Sequence, residues 1–182
     1  FIGPVEQKLR GFPRIWRLLD RQRQPLPQAP VSIEDHVVIV GYGRVGRQIV
    51  SLLGEMGIPC LVVEADAERA EQLSQKQVPV LYGDAANSEV LSHAGLTRAR
   101  ALVIAGPDED ASALVVTTAR DLAPDLPIIA RAASEEGTKH LAKLGAHDVI
   151  HPELDGSLQI VRLTLLRLGF RLEEIFRYTD AV

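Results

Sequence analysis

The stretch "HVVIVGYGRVGRQIV", residues 36–50, decides the fold. Its first half is an apolar, β-branched run suited to a strand buried on both faces. It breaks into Gly41-Tyr42-Gly43-Arg44-Val45-Gly46 and resumes with Val45, Ile49, Leu52, Leu53 and Met56 at helical spacing. A strand that turns on glycines into a helix presents unpaired backbone N–H groups, which attract an anion together with the helix dipole. Gly41 suits the tight turn, Gly43 admits a pyrophosphate to the backbone, and Gly46 lets the helix lie close to the strand. The glycine pattern alone is weak; it gains force from the strand before it, the helix after it and a second strand ending in an acid.

That acid is Glu64, in "LVVEADAERAEQL". It stands where a carboxylate accepts hydrogen bonds from adenosine ribose hydroxyls, and its charge repels a 2′-phosphate, which favours NAD(H) or an adenine nucleotide over NADP(H). The plainer alternative is that Glu64 merely ends a strand and Asp66 caps the next helix. The glycine turn upstream weighs for the ribose role.

Working outward, the same unit repeats. Strands are expected at 37–40, 60–64, 78–82, 101–105, 127–131 and 148–150, with helices at 45–56, 67–75, 88–94, 110–122 and 135–144. Strands alternating with helices of this length pair in parallel. Six of them make an α/β, Rossmann-like doubly wound sheet of order 3-2-1-4-5-6. "LYGDAAN" follows the third strand, placing Asp84 at the carboxyl edge of the sheet, with Asn87 or Ser88 to cap a short helix. Arg44 inside the glycine turn and Arg131 ending the fifth strand are the cations expected to face the same crevice.

Two segments stand outside this repeat. Residues 1–33 form a basic piece carrying Trp16, then the linker "RQRQPLPQAP". It reads either as a juxtamembrane stub resting on an anionic surface or as a solvated helix packed on its own domain. Residues 154–182 read as one helix, more apolar than a lone surface helix requires, which favours dimerisation over packing within the domain. Because the first residue is Phe1, the chain is expected to continue upstream.

Composition narrows the function classes. The 182 residues suffice for one well-cored domain, and a net charge of −4 with 4% aromatic residues gives no reason to expect nucleic-acid binding. Cys60 is the only cysteine, so an intrachain disulfide is ruled out, and its apolar neighbours suggest a buried small hydrophobe. No run reaches the roughly 18–20 apolar residues that span a bilayer. His36, His93, His140, His147 and His151 show no metal-ligand spacing, no serine sits in a G-x-S-x-G turn, and no catalytic residue is assigned. A dehydrogenase also needs an element to hold substrate against the nicotinamide. Six strand–helix units use nearly all the chain after Ile33, which argues against an enzyme.

Together, "VVIVGYGRVGRQIV", "LVVEADAERAEQL", "PVLYGDAANSEVLSHAGLTRARALVIAGPDED" and "PIIARAASEEGTKHLAKLGAHDVIHPE" resemble an RCK N-terminal domain, also called KTN or TrkA-N, over 34–153. With Arg44 in the turn and "IIARA" on the fifth strand, the chain is similar to the cytoplasmic domains of Kef-type monovalent cation:proton antiporters. The resemblance implies a non-catalytic ligand, NAD(H), AMP or another adenine nucleotide. Gly41, Gly43, Arg44, Val45 and Gly46 would hold the phosphates and Glu64 the ribose. Asp84 and Ala85 would approach the adenine, Arg131 would sit at the phosphate or a second-ligand position, and Tyr42, Ala65 and Ala105 complete the cofactor-binding set. It also implies a homodimer joined through the last helix, a transport domain upstream of Phe1 in the same polypeptide, and a place at the cytoplasmic face of a bacterial inner membrane. Two alternatives stay open: a small NAD-dependent oxidoreductase or its subunit, and a soluble TrkA-like subunit of a potassium uptake system.

Overall fold

The computed structural model describes residues 33–179. The basic segment and linker expected over 1–33 therefore lie outside the described residues, save Ile33, which packs against the core.

Six strands form one parallel sheet: β1 (His36–Val40), β2 (Cys60–Glu64), β3 (Val80–Tyr82), β4 (Ala99–Ile104), β5 (Ile128–Arg131) and β6 (Asp148–Ile150). Their order is β3-β2-β1-β4-β5-β6, the doubly wound order expected. The crossovers carry α1 (Arg44–Glu55), α2 (Ala67–Gln75), α3 (Ser88–His93), α4 (Glu109–Leu122) and α5 (Glu135–Leu144). Strand bounds differ from the expectation by one or two residues, chiefly because β3 starts after Pro79 and β4 already at Ala99, where it pairs with His36.

Period-two alternation divides the core between the two faces of the sheet. Val38, Leu61, Val63, Leu102, Ile104 and Ile128 point to one face, packed with Val90 and Leu91 of α3, Val115 and Val116 of α4 and Leu141 of α5. Ile39, Cys60 and Val62 point to the other, packed with Val50 of α1 and Leu73 of α2. Both faces of β2 are covered, and all five of its residues are buried. Cys60 is buried as expected, and burial pushes its thiol pKa up.

The second half of the sheet is covered unequally. Val103 and Ile129 lie on the same face as Ile39 but are only half-buried, and Ile150 is exposed. Leu52 of α1 and Met56, its C-cap, are exposed, the latter 70%.

After β6 the chain forms two helices where one was expected: α6 (Pro152–Arg167) and α7 (Leu172–Thr179). The break falls at Gly169, whose φ of +87° a side-chain-bearing residue resists. Arg162 on α6 donates to Thr179 Oγ1 at 2.8 Å and lies 5.2 Å from the ring centroid of Phe176, clamping α7 back onto α6. No residue of α6 is buried.

Candidate functional site

The carboxyl ends of β1 and β4 are neighbours whose crossovers depart in opposite directions, and the crevice of such a sheet opens there. Gly41 closes the turn with a φ of +90°, donating its N–H to Val63 O at 2.9 Å. A Cβ on it would lie 3.5 Å from the Gly106 backbone nitrogen across the crevice. A Cβ on Gly46 would land on the Gly41 carbonyl oxygen, so close passage of α1 over the turn requires glycine there. Gly43 differs: a Cβ on it would meet nothing within 4 Å. The space in front of Gly43 is open.

Helix α1 starts without a side-chain cap and without an acid in its first turn. The next four helices are all capped, by Asp66, Asn87, Asp108 and Ser134, with acids following in each first turn. Those four have their leading N–H groups and dipoles answered internally. At α1 neither a capping side chain nor a first-turn acid gives that answer.

Glu64 is the fixed point of the site. It is 4% exposed, yet each carboxylate oxygen has a partner: Oε2 accepts from Tyr42 N–H at 2.6 Å and Oε1 from Asp66 N–H at 2.9 Å. The Arg69 guanidinium lies 3.6 Å from Oε2. Each oxygen keeps a further lone pair for an incoming hydroxyl. Asp66 caps α2 through Arg69 N–H at 3.0 Å, as the plainer reading of this pair of acids expected. That amide bond, with Arg69's charge, holds the Asp66 pKa below the usual carboxylate range.

Three hollows meet at Glu64. One, of about 580 Å³, runs along Asp66, Ala67, Glu68, Arg69 and Tyr82, away from the glycine turn. Of the two that reach Gly41, the larger, of about 500 Å³, is lined by Gly41, Gly43, Arg44, Val45, Glu64, Ala105 and Arg131 among the expected residues. Gln48, Arg69, Gly106, Pro107, Pro152 and Glu153 line it too and were not anticipated. The narrower, of about 160 Å³, takes in Gly41, Glu64, Ala65, Asp84 and Ala85 between Val40 and Val115. Tyr42 lines neither; its ring packs beside Ile39 and Val50, and only its N–H serves the site. Gly46 is buried beneath the turn. Asp84 is exposed, with Oδ1 accepting Ala86 N–H at 2.9 Å.

On the far rim, Arg131 Nη2 donates to Glu153 Oε1 at 3.1 Å, and His151 Nε2 lies 3.9 Å from Glu153 Oε2. Behind them Glu109 accepts from Ala133 N–H at 2.7 Å and from Ser134 Oγ at 3.1 Å. The amide bond in the first place, aided by the hydroxyl, lowers the Glu109 pKa. The other histidines are dispersed: buried His36 bonds Ala94 O through Nε2 at 3.0 Å, and His147 Nδ1 accepts from Arg120 and from Ile128 N–H. Among the described residues no group of His, Cys, Asp and Glu is arranged to hold a metal.

A family model for the TrkA-N domain matches residues 37–152. The putative K(+) efflux antiporter KefB of Alkalimonas amylolytica is 34% identical over 138 residues, covering 76% of this chain and 21% of that protein. The chain thus spans about a fifth of that relative's length. The crystal structure of the TrkA-N domain of the inner membrane protein ybaL from Escherichia coli superposes with a TM-score of 0.71 at 32% identity, covering 73% of this chain and 98% of that one. The Shewanella denitrificans Kef CTD in its AMP-bound form gives a TM-score of 0.67 at 29% identity, covering 80% of this chain and 89% of that one.

Proposed function

The chain belongs to the TrkA-N domain family, and we propose that it is the nucleotide-sensing regulatory domain of a potassium or other monovalent cation:proton antiporter. On this reading 34–153 binds an adenine nucleotide without transforming it, 154–182 makes the dimer contact, and 1–33 leads from a membrane transport domain in the same polypeptide. The site then works at the cytoplasmic face of the membrane. AMP bound to the Kef CTD relative and the antiporter name carried by KefB both favour it.

The observation that carries the proposal is the pairing of an uncapped α1 with a pre-set Glu64. The free amides and Arg44 take a phosphate, Glu64 takes the ribose hydroxyls through its remaining lone pairs, and the narrow apolar hollow beside Ala85 takes the adenine. The carboxylate is held before the ligand arrives, so little ordering is left to offset the binding energy. Nothing lining the larger hollow is a histidine, cysteine, lysine or serine, and both of its acids are already bonded. That lining favours a sensor, since proton transfer needs a free acid or base within reach of substrate.

Dimerisation is supported by the half-covered face of β4, β5 and β6 and by the exposed apolar side chains of α6 and α7, Ile160, Leu163 and Leu168 among them. One set needs a cover and the other needs a groove, and a second copy supplies both. Calorimetric titration with AMP, NADH, NAD⁺ and ATP tests the reading. Saturable heat from at least one of them, with the ligand recovered chemically unchanged, is expected; no binding by any, or turnover of NADH with an acceptor, defeats it.

A further inference from the structure

We infer that Glu153 is a built-in competitor for the ligand's phosphates, a carboxylate that occupies Arg131 in the empty site and is displaced when a phosphate reaches it. The inference rests on the nucleotide-binding reading and adds a regulatory step to the same site.

Arg131 ends β5 with its side chain 21% exposed, so it is held in place, whereas the Glu153 side chain is 64% exposed and has room to swing out. The two are 3.1 Å apart and both line the hollow that Gly43 and Arg44 open into. Glu153 accepts from Nη2 alone, so the guanidinium has donor capacity that Glu153 does not use. A planar guanidinium bonds phosphate as readily as carboxylate, through the same paired donors. A phosphate approaching from the α1 amides therefore meets Glu153 as a like charge already seated on the cation it needs.

The position of Glu153 gives the exchange a consequence. It lies in the first turn of α6, just after Pro152. No α6 residue is buried, so this ion pair is among the few ties between the helix and the sheet, and α7 is clamped to α6 by Arg162. Displacing Glu153 loosens the start of α6, and whatever holds α6 elsewhere in turn changes ligand affinity. The coupling is reciprocal by thermodynamic necessity.

The test uses the full chain with AMP and ADP as probes, comparing wild type with Glu153→Gln and Glu153→Ala, each checked for native circular dichroism. ADP affinity is expected to rise by about three- to tenfold in both variants, the scale of an exposed ion pair plus the relieved repulsion. In an Arg131→Gln background the Glu153 substitutions are expected to raise ADP affinity less than about threefold, because only the repulsion is left to relieve. Amide exchange in the first turn of α6 should quicken when ADP saturates the wild type, and should already be fast in ligand-free Glu153→Gln. Unchanged or weaker ADP binding by both variants overturns the inference while AMP binding by wild type leaves the nucleotide site standing. Failure of wild type to bind either probe defeats the nucleotide reading itself.

Discussion

Glu64 holds Tyr42: the carboxylate ending the second strand accepts the backbone N–H inside the glycine turn at 2.6 Å. The turn and the second strand are one unit, so the residue proposed to read the ribose also sets the loop that receives the phosphate. Replacing Glu64 by Ala removes the acceptor of the Tyr42 and Asp66 N–H groups in a part-buried site and is expected to cost about 1–3 kcal/mol in all. Glu64→Gln keeps an acceptor and should cost less. Thermal unfolding of the two variants checks the order, and both should lose nucleotide affinity.

The two inner glycines of the turn separate stability from binding. Gly46→Ala forces a methyl onto the Gly41 carbonyl and is expected to destabilise by about 1–3 kcal/mol. Gly43→Ala meets no atom, so its melting temperature should stay within the small range of a neutral surface change. Its methyl nevertheless stands where the phosphate approaches, and nucleotide affinity should fall at least about tenfold, the scale of one misplaced contact in a close-fitting site. Calorimetry beside a melting curve reads both.

Much of this was legible before any coordinates. β-branched runs punctuated by glycine and proline located all six strands, and their order is that of the doubly wound fold which six alternating strand–helix units imply. Residues whose roles depend on neighbours in sequence, such as Gly41, Arg44 and Glu64, could be named from the turn itself. Arg69 could not, because its place over Glu64 depends on Asp66 starting the helix one turn earlier. Gly106 and Pro107 enter because β4 lies beside β1, so strand order and not local sequence brings the loop after β4 to the crevice. Glu153 enters because β6 pairs Ile150 with Arg131, and a register between distant strands leaves no local mark. The break at Gly169 was masked by an apolar pattern that runs straight through it.

Glu109 predicts an acid-labile joint between α4 and α5. Its pKa in the folded chain is below the ordinary value, so its bonds to Ala133 and Ser134 contribute stability above the unfolded pKa and lose it as pH falls through the folded one. Glu109→Gln should therefore melt below wild type at neutral pH. The difference should vanish in acid, beneath the usual carboxylate range, as melting curves across pH would record.

The tail helices predict assembly. With Ile160 67% and Leu163 52% exposed on α6, sedimentation of the wild type should show concentration-dependent dimers. Leu163→Asp and Ile160→Asp should each weaken association by at least about tenfold, the effect of charging an interface anchor. The monomeric variants should keep the wild-type melting profile of the sheet domain, because neither side chain is part of its core.

The most direct measurement is a crystal structure of the chain with bound AMP. The account predicts the phosphate on the amides of Gly43, Arg44 and Val45, the ribose hydroxyls on Glu64 with its Tyr42 bond kept, and the adenine in the hollow beside Ala85. A nucleotide found elsewhere on the chain, or one seated there only after Glu64 has abandoned Tyr42, would contradict it.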